Sequence, residues 1–209
     1  MVTRGQFLER PTLIPVGRDV LEGLSHRGVR APALLILPPA PAQGGDMQHV
    51  VAAELAWAAT RAGHATLRFN FRGVGASQGG RGDADERLAD ATAALQLLAD
   101  NSGSTSFVVA SLPGSEDTAF SLAVARPAVR ALALVSPPTL SAASLRRAGR
   151  PVRIILGALD SWQPDERVRE ALTQVGGELD VVEHADQRFL RNLPQVGRGV
   201  AALMAEVQA

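Results

Sequence analysis

The stretch that decides the fold is Phe107-Val108-Val109-Ala110-Ser111-Leu112-Pro113-Gly114-Ser115. A short apolar run ends at a small residue, and a tight turn closes on Gly114 before a helix predicted over residues 117–125. A buried strand that turns directly into a helix is typical of the central strand of a parallel α/β sheet. Such a turn lies at the carboxyl end of the strand, where these folds place ligands and catalytic groups.

Strands and helices alternate outward from this turn. Near-continuous aliphatic runs predict strands over residues 33–37, 65–69, 107–109, 131–135, 152–156 and 179–182. Apolar residues at helical spacing predict helices over residues 47–62 (with Asp46 as N-cap), 85–99, 117–125, 165–175 and 196–207, with one or two helical turns over residues 141–147. This alternation predicts a mostly parallel central sheet with helices on both faces. A hairpin over residues 12–26 adds antiparallel strands at one edge, and we predict a single domain over residues 1–209 because no linker divides the chain.

The composition narrows the classes of function. Apolar residues make up 46% of the 209 residues and the formal net charge is zero, so we expect no nucleic-acid partner and no anionic membrane surface. The absence of cysteine excludes thiol catalysis, disulfides and thiolate metal sites. No apolar run approaches the roughly 18 residues of a membrane span, so a cytoplasmic location is the expectation. No nucleotide-binding glycine pattern or zinc-ligand spacing occurs, so we expect no cofactor and no metal.

A second stretch carries a family resemblance. Ala65-Thr66-Leu67-Arg68-Phe69-Asn70-Phe71-Arg72-Gly73-Val74-Gly75-Ala76-Ser77 leaves a predicted strand as a glycine-rich loop. Together with Gly44-Gly45 and residues 157–160, it resembles the α/β-hydrolase family, and among its members the small bacterial, dienelactone-hydrolase-like proteins without a lid domain. The resemblance spans about residues 19–207 and implies the α/β-hydrolase fold. It also implies a Ser-Asp-His triad in that chain order, with backbone N–H groups that stabilise the oxyanion.

The nucleophile position departs from the family pattern. The G-x-S-x-G turn reads Ala110-Ser111-Leu112-Pro113-Gly114, which puts Leu112 at the serine position. The following residue should donate an N–H to the oxyanion, but Pro113 has none, which removes a donor worth about 3 kcal/mol. In a rival register Ser111 is the apex, and Val109 and Pro113 then stand where the family has small residues.

The acid position is intact and the base position is not. Asp160 follows a strand that ends in Gly157, as the triad aspartate of the family does, although a solvated turn or a helix cap would also explain a carboxylate there. The histidine position is taken by Gln187, which cannot carry a proton near neutral pH. His184, three residues earlier, is a surrogate base or an exposed loop histidine.

The loop after the first parallel strand has changed as well. Members of this group often carry His-Pro-His-Pro there, whereas this chain has Pro38-Pro39-Ala40-Pro41. The predicted pocket is lined by Pro39, Ala40, Ser111, Pro113 and Trp162.

These departures, which fall together at one pocket, predict a degenerate triad on an intact scaffold. The first hypothesis is a pseudoenzyme that binds a small ligand or a protein partner in the remodelled cleft. The alternative is an ester, thioester or lactone hydrolase with relocated residues: Ser111 as nucleophile, His184 as base and Asp160 as orienting acid. A third hypothesis is self-association into a homo-oligomer through the cleft.

Overall fold

The computed structural model describes residues 5 and 7–208; residues 1–4, 6 and 209 of the predicted domain lie outside the described part. Eight strands form one sheet in the order β1-β2-β4-β3-β5-β6-β7-β8. The strands β1 and β2 pair antiparallel, β2 pairs antiparallel with β4, and the remaining pairs are parallel. Their bounds are β1 Arg10–Val16, β2 Asp19–His26, β3 Arg30–Leu37, β4 His64–Phe69, β5 Phe107–Ser111, β6 Val129–Val135, β7 Val152–Gly157 and β8 Glu178–Val182.

Within the described part of the chain, six α-helices cover the two faces of the sheet. They are α1 Val50–Arg61, α2 Ala84–Ser102, α3 Glu116–Ala125, α4 Ala142–Ala148, α5 Glu166–Gln174 and α6 Leu193–Gln208. Side chains of α2, α3, α4 and α5 share one buried apolar cluster with the sheet, and those of α1 and α6 share the other. We call these the α2–α5 layer and the α1/α6 layer. The predicted mostly parallel sheet with helices on both faces and an antiparallel start is thereby confirmed. Among the described residues no helix combines the length and apolarity that a membrane crossing requires.

The start of α1 differs from the prediction. The helix begins at Val50, with His49 as the N-cap whose ring accepts a hydrogen bond from the Val51 N–H. Asp46, the predicted N-cap, instead accepts from the Gln48 N–H at 2.7 Å within a preceding turn. The reason is tertiary. In a helix that began after Asp46, the Met47 carbonyl would accept from the Val51 N–H, but it accepts from the Arg68 guanidinium at 2.5 Å instead, and the Met47 N–H donates to the side chain of Asn70 at 2.6 Å.

The glycine-rich loop after β4 is held to the rest of the sheet by a network of hydrogen bonds. The Glu22 carboxylate on β2 accepts from the Asn70 side chain at 2.7 Å and from the Ala76 N–H at 2.6 Å. Ser77 closes the loop, since its hydroxyl donates to the Asn70 carbonyl at 2.8 Å. Gly75 has a φ of 58°, and a Cβ there would lie 2.2 Å from the Glu22 carboxylate. The signature residues of this loop therefore have a structural explanation.

A buried carboxylate anchors the same loop to α2. Asp90 is fully buried and accepts from the Arg72 guanidinium at 2.7 Å and from the Arg72 N–H at 3.0 Å. The exposed Glu86 accepts from the same guanidinium at 2.9 Å. Arg72 thus has one buried and one exposed partner.

This arrangement predicts unequal costs for removing the two carboxylates. Asp90→Asn should lower the free energy of unfolding by about 3 kcal/mol, because Arg72 loses the partner that compensates its burial. Glu86→Gln, the matched control, should cost less than about 1 kcal/mol, since a surface pair contributes little and glutamine preserves the capping box with Asp83. Urea unfolding of both variants measures this, and equal losses would contradict the assignment of Asp90 as the anchor.

Candidate functional site

The predicted site residues lie at the carboxyl edge of the sheet, on the loops that follow β3, β5, β6, β7 and β8. Parallel strands bring these loops to one edge, which is where α/β folds place ligands. The loop after β3 carries Pro38 and Ala40, the turn after β5 carries Leu112 and Pro113, and Asp160 follows β7.

The turn after β5 is a relaxed β-turn. The Ser115 N–H donates to the Leu112 carbonyl at 3.1 Å, which closes a four-residue turn. Proline at the second position and Gly114 at the third, with a φ of 84°, fit a type II turn. A nucleophile elbow is instead a strained turn that exposes its apex side chain. Leu112 has no left-handed backbone, so this turn lacks that strain.

Leu112 and Ser111 point to opposite faces of the sheet and are both fully buried. Leu112 packs in the α1/α6 layer, where it continues the row of Val108 and Ala110. Ser111 lies beside Leu37 and Leu134 in the sheet, and its hydroxyl is buried without a hydrogen-bond partner among the described residues. Neither side chain is presented to solvent at the carboxyl edge.

The turn after β5 is closed against the loop after β3. The Ala40 N–H donates to the Pro113 carbonyl at 3.0 Å, and the Ser115 hydroxyl donates to the Pro38 carbonyl at 2.6 Å. The Leu112 N–H donates to the Leu37 carbonyl at 3.1 Å. A serine hydrolase would offer two backbone N–H groups to an oxyanion at these positions. Here Pro113 has no N–H, and the N–H of Ala40 is already bonded within the chain.

Glu116 occupies the start of α3 with a buried carboxylate. Its Oε1 accepts from the Gly114 N–H at 3.1 Å, and the residue is 8% exposed. Burial raises the pKa of Glu116 to about 7, and the hydrogen bond from Gly114 opposes that rise. Ser115 stands at the N-cap position of this helix. The Ser115 side chain does not cap it, because its hydroxyl is bonded to the loop after β3.

Asp160 is held by a serine that sequence reasoning did not single out. The Ser136 hydroxyl, directly after β6, donates to Oδ2 of Asp160 at 2.6 Å. Ser136 has a left-handed backbone, with a φ of 44°, and is 5% exposed. Oδ1 of Asp160 is buried without a partner among the described residues. Burial raises the pKa of the Asp160 carboxyl, and the hydrogen bond from Ser136 opposes that rise. The only sequence signal was the position of Ser136 between a buried strand and Pro137-Pro138.

The loop after β8 brings neither candidate base into contact with Asp160. His184 and Gln187 are both exposed, and no hydrogen bond or ion pair between described residues joins either side chain to Asp160. The backbone at Ala185 is tied instead to the loop after β7, since its carbonyl accepts from the Leu159 N–H at 2.9 Å.

A cavity of about 350 Å³ lies at this edge, between the loops that follow β7 and β8. Leu159 and Leu190, which are 70% and 78% exposed, line it together with His184, Ala185, Asp186 and Arg191. Trp162 is half-buried and packs against the α2–α5 layer. Within the described residues there is no cluster of three or more His, Asp or Glu side chains with the geometry to hold a metal ion.

Comparison with solved structures finds the same architecture in several proteins. An α/β serine hydrolase homologue from Coxiella burnetii superposes with a TM-score of 0.80 and 25% identity, covering 93% of this chain and 97% of that one. A protein of unknown function from Agrobacterium tumefaciens, described as a candidate α/β hydrolase, gives a TM-score of 0.72 and 26% identity, covering 96% and 93%. A serine hydrolase without a lid from Xanthomonas campestris gives 0.71 and 20% identity, covering 94% and 95%, and supports the fold alone.

Comparison by sequence is less informative. No protein-family model matches the chain. An uncharacterised protein of Rickettsia prowazekii is 33% identical over 109 residues, which is 52% of this chain. The match covers 46% of that relative, so the chain spans about half the length of the curated relative it matches.

Glu116 predicts a specific dependence of stability on pH. Its pKa of about 7 in the folded state lies above the unfolded value of 4.5, so the folded state holds this proton in the window between them. The free energy of unfolding should therefore fall as pH rises from 4.5 to 7, and the penalty is complete above pH 7. Glu116→Gln, which can still accept from Gly114, should gain up to about 3 kcal/mol over the wild type at pH 8 and little at pH 4.

Thermal or urea unfolding from pH 4 to pH 8 measures this difference. Glu170→Gln is the matched control, because this carboxylate is exposed on α5 and does not contribute to the raised pKa of Glu116. A gap between Glu116→Gln and the wild type that does not widen with pH would show that Glu116 is ionised normally.

Proposed function

We propose that this chain, a member of the α/β-hydrolase superfamily, is a non-catalytic binding protein that takes a small ligand or a protein partner at the carboxyl edge of its sheet. The proposal treats the elbow after β5 as a structural turn and the remodelled edge as a binding surface. The single observation that carries it is the hydrogen bond from the Ala40 N–H to the Pro113 carbonyl.

An oxyanion site needs two N–H donors; Pro113 cannot supply the first, and this hydrogen bond engages the second. In the family, the N–H after the nucleophile and an N–H of the loop after β3 stabilise the tetrahedral intermediate together. Pro113 has no N–H, and Ala40 donates its own to Pro113. Each lost donor is worth about 3 kcal/mol of transition-state stabilisation, so an acyl transfer here would be slower by several powers of ten even with a nucleophile in place.

The nucleophile position supports the same conclusion. Leu112 is an apolar side chain with no exposed surface, packed in the α1/α6 layer. A nucleophile at this position would require a side chain with an attacking oxygen. It would also require a different turn, because Leu112, the first residue of this type II turn, is buried and not exposed in the cleft.

The acid and base positions support it further. Asp160 has a hydroxyl partner, Ser136, where a triad would supply an imidazole N–H. Gln187 is exposed and cannot transfer a proton near neutral pH.

One observation favours the alternative, a hydrolase with relocated residues. Oδ1 of Asp160 is buried without a hydrogen-bond partner among the described residues, and an orienting acid would use such an oxygen to accept from its base. Against it stand Ser111, whose hydroxyl is buried beneath the sheet edge, and His184, which is exposed and makes no bond to Asp160. In general-base catalysis the base lies within hydrogen-bond distance of the nucleophile, here His184 and the Ser111 hydroxyl. Because Ser111 is a buried residue of β5, the alternative requires that β5 itself rearranges.

The binding surface of the proposal is the cavity lined by Leu159, Leu190, His184 and Arg191. Two largely exposed leucines on adjacent loops provide apolar area, and an arginine beside them provides a fixed charge. This combination suits a partner or ligand with both apolar and polar parts.

The test is reactivity with a fluorophosphonate probe together with turnover of p-nitrophenyl acetate. We expect no labelling of the purified chain, and the same slow, unsaturated hydrolysis for the wild type, Ser111→Ala and His184→Ala, because none of these groups forms an activated pair. An active serine hydrolase labelled in the same experiment is the positive control.

Labelling that disappears in Ser111→Ala would overturn the proposal and establish the relocated hydrolase. Turnover that saturates with substrate and falls by about 100-fold or more in either variant would do the same.

A further inference from the structure

A second cavity lies at the opposite, amino edge of the sheet, away from the site just described. Its volume is about 470 Å³, within the range of roughly 300–1,000 Å³ typical of small-molecule sites. It opens between the end of β2, the start of β4 and the end of α2. Ala65, Leu67 and Leu98 form an apolar floor.

One wall carries a pair of hydroxyl groups. Thr12 on β1 and Ser25 on β2 are half-buried, and their oxygen atoms lie 2.9 Å apart. Both hydroxyls also lie within donor reach of the Arg10 carbonyl, Thr12 at 3.2 Å and Ser25 at 3.4 Å, so one proton of the pair suffices for that acceptor. Hydroxyl groups rotate to suit a partner, so the pair can also serve a polar group in the cavity.

The rim of the cavity is positively charged. Arg10 and Arg27 line it, and no Asp or Glu occurs among the described residues that do so. Arg27 is exposed and forms no ion pair with any described residue. The third basic group of the lining, His26, does not add charge near neutral pH, because burial lowers its pKa. The Arg10 guanidinium donates to the Leu8 carbonyl at 3.0 Å and to the Gly5 carbonyl at 3.3 Å, and Glu9 beside it pairs with Arg68. Arg27 is therefore the cation of this lining that is left to bind an anion.

The backbone that carries Arg27 is fixed in place. At Gly28 a Cβ would lie 2.1 Å from the backbone of His64, so only glycine allows this close approach to β4. The next residue, Val29, donates its N–H to the Gly63 carbonyl at 3.0 Å.

From these features we infer that the cavity binds a small carboxylate with an apolar body, whose head group contacts Arg27 and the hydroxyl pair and whose body rests on Leu67 and Leu98. A guanidinium presents a planar fork of donors that matches a carboxylate. An apolar floor with a few convergent polar groups is the usual composition of such a site. The inference does not rest on the function proposed above, because the two sites lie at opposite edges of the sheet.

The test is an NMR titration of the full chain, labelled with ¹⁵N, using octanoate as the probe and octanol as its uncharged counterpart. We expect saturable shifts of the amides of Ser25, Gly28, Ala65 and Asn101 with octanoate, and binding of octanol that is weaker by about tenfold or more. Arg27→Ala should lower the affinity for octanoate by a similar factor. Arg27→Lys should lower it by less, because lysine keeps the positive charge but lacks the planar pair of guanidinium donors. Arg18→Ala, which alters an exposed arginine in the turn between β1 and β2, should leave the affinity unchanged.

With the wild-type chain, any one of these results would overturn the inference: equal affinities for octanoate and octanol, shifts confined to Ser136, Asp160 and Ala185 at the carboxyl edge, or no saturation up to about 10 mM. An unchanged affinity in Arg27→Ala would do so as well. None of these bears on whether the elbow after β5 is catalytic, so the two proposals fail separately.

Discussion

Burial of β5 on both faces is the constraint on which the rest of the structure depends. Every residue of this strand is buried, and alternate side chains enter the two helical layers. At the end of the strand, Leu112 follows the same alternation and fills the α1/α6 layer. An apolar side chain gains free energy by continuing into the core, whereas a catalytic serine has to leave it and therefore needs a strained turn.

Once the apex side chain is buried, the neighbouring loops can close. The turn after β5 relaxes into a Pro-Gly β-turn, and its Pro113 carbonyl becomes an acceptor for the loop after β3. Glu116 folds back over the turn and satisfies the Gly114 N–H at the start of α3, a position where the helix dipole favours negative charge. At this edge the loops after β3 and β5 are thus joined by hydrogen bonds within the chain. The polar remainder of the edge, the pair of Ser136 and Asp160, is likewise bonded internally.

The scaffold that surrounds this edge is held by contacts remote from it. Glu22, Asn70 and Ser77 fix the glycine-rich loop to β2, and Asp90 fixes it to α2 through Arg72. These contacts do not involve the loops after β5, β7 or β8. The fold can therefore persist while the carboxyl edge changes, which is why likeness to hydrolases in overall architecture does not by itself carry their chemistry.

The sequence by itself determined the fold class, and the family resemblance predicted which residues occupy the site positions. Aliphatic runs such as residues 131–135 and 152–156 are long enough to indicate strands buried on both faces, and the stretch from Ala65 to Ser77 carried the family resemblance. It also placed Leu112, Asp160 and Gln187 at the carboxyl edge. Only the tertiary structure decided that the Ser111 side chain is buried and that the Ala40 N–H donates to the Pro113 carbonyl. It also decided that Ser136 donates to Asp160 and that Asp46 is not the N-cap of α1. The physical reason is that periodicity reports which face of an element is buried, whereas hydrogen bonds between loops join residues far apart in the chain and depend on where the packed sheet brings them.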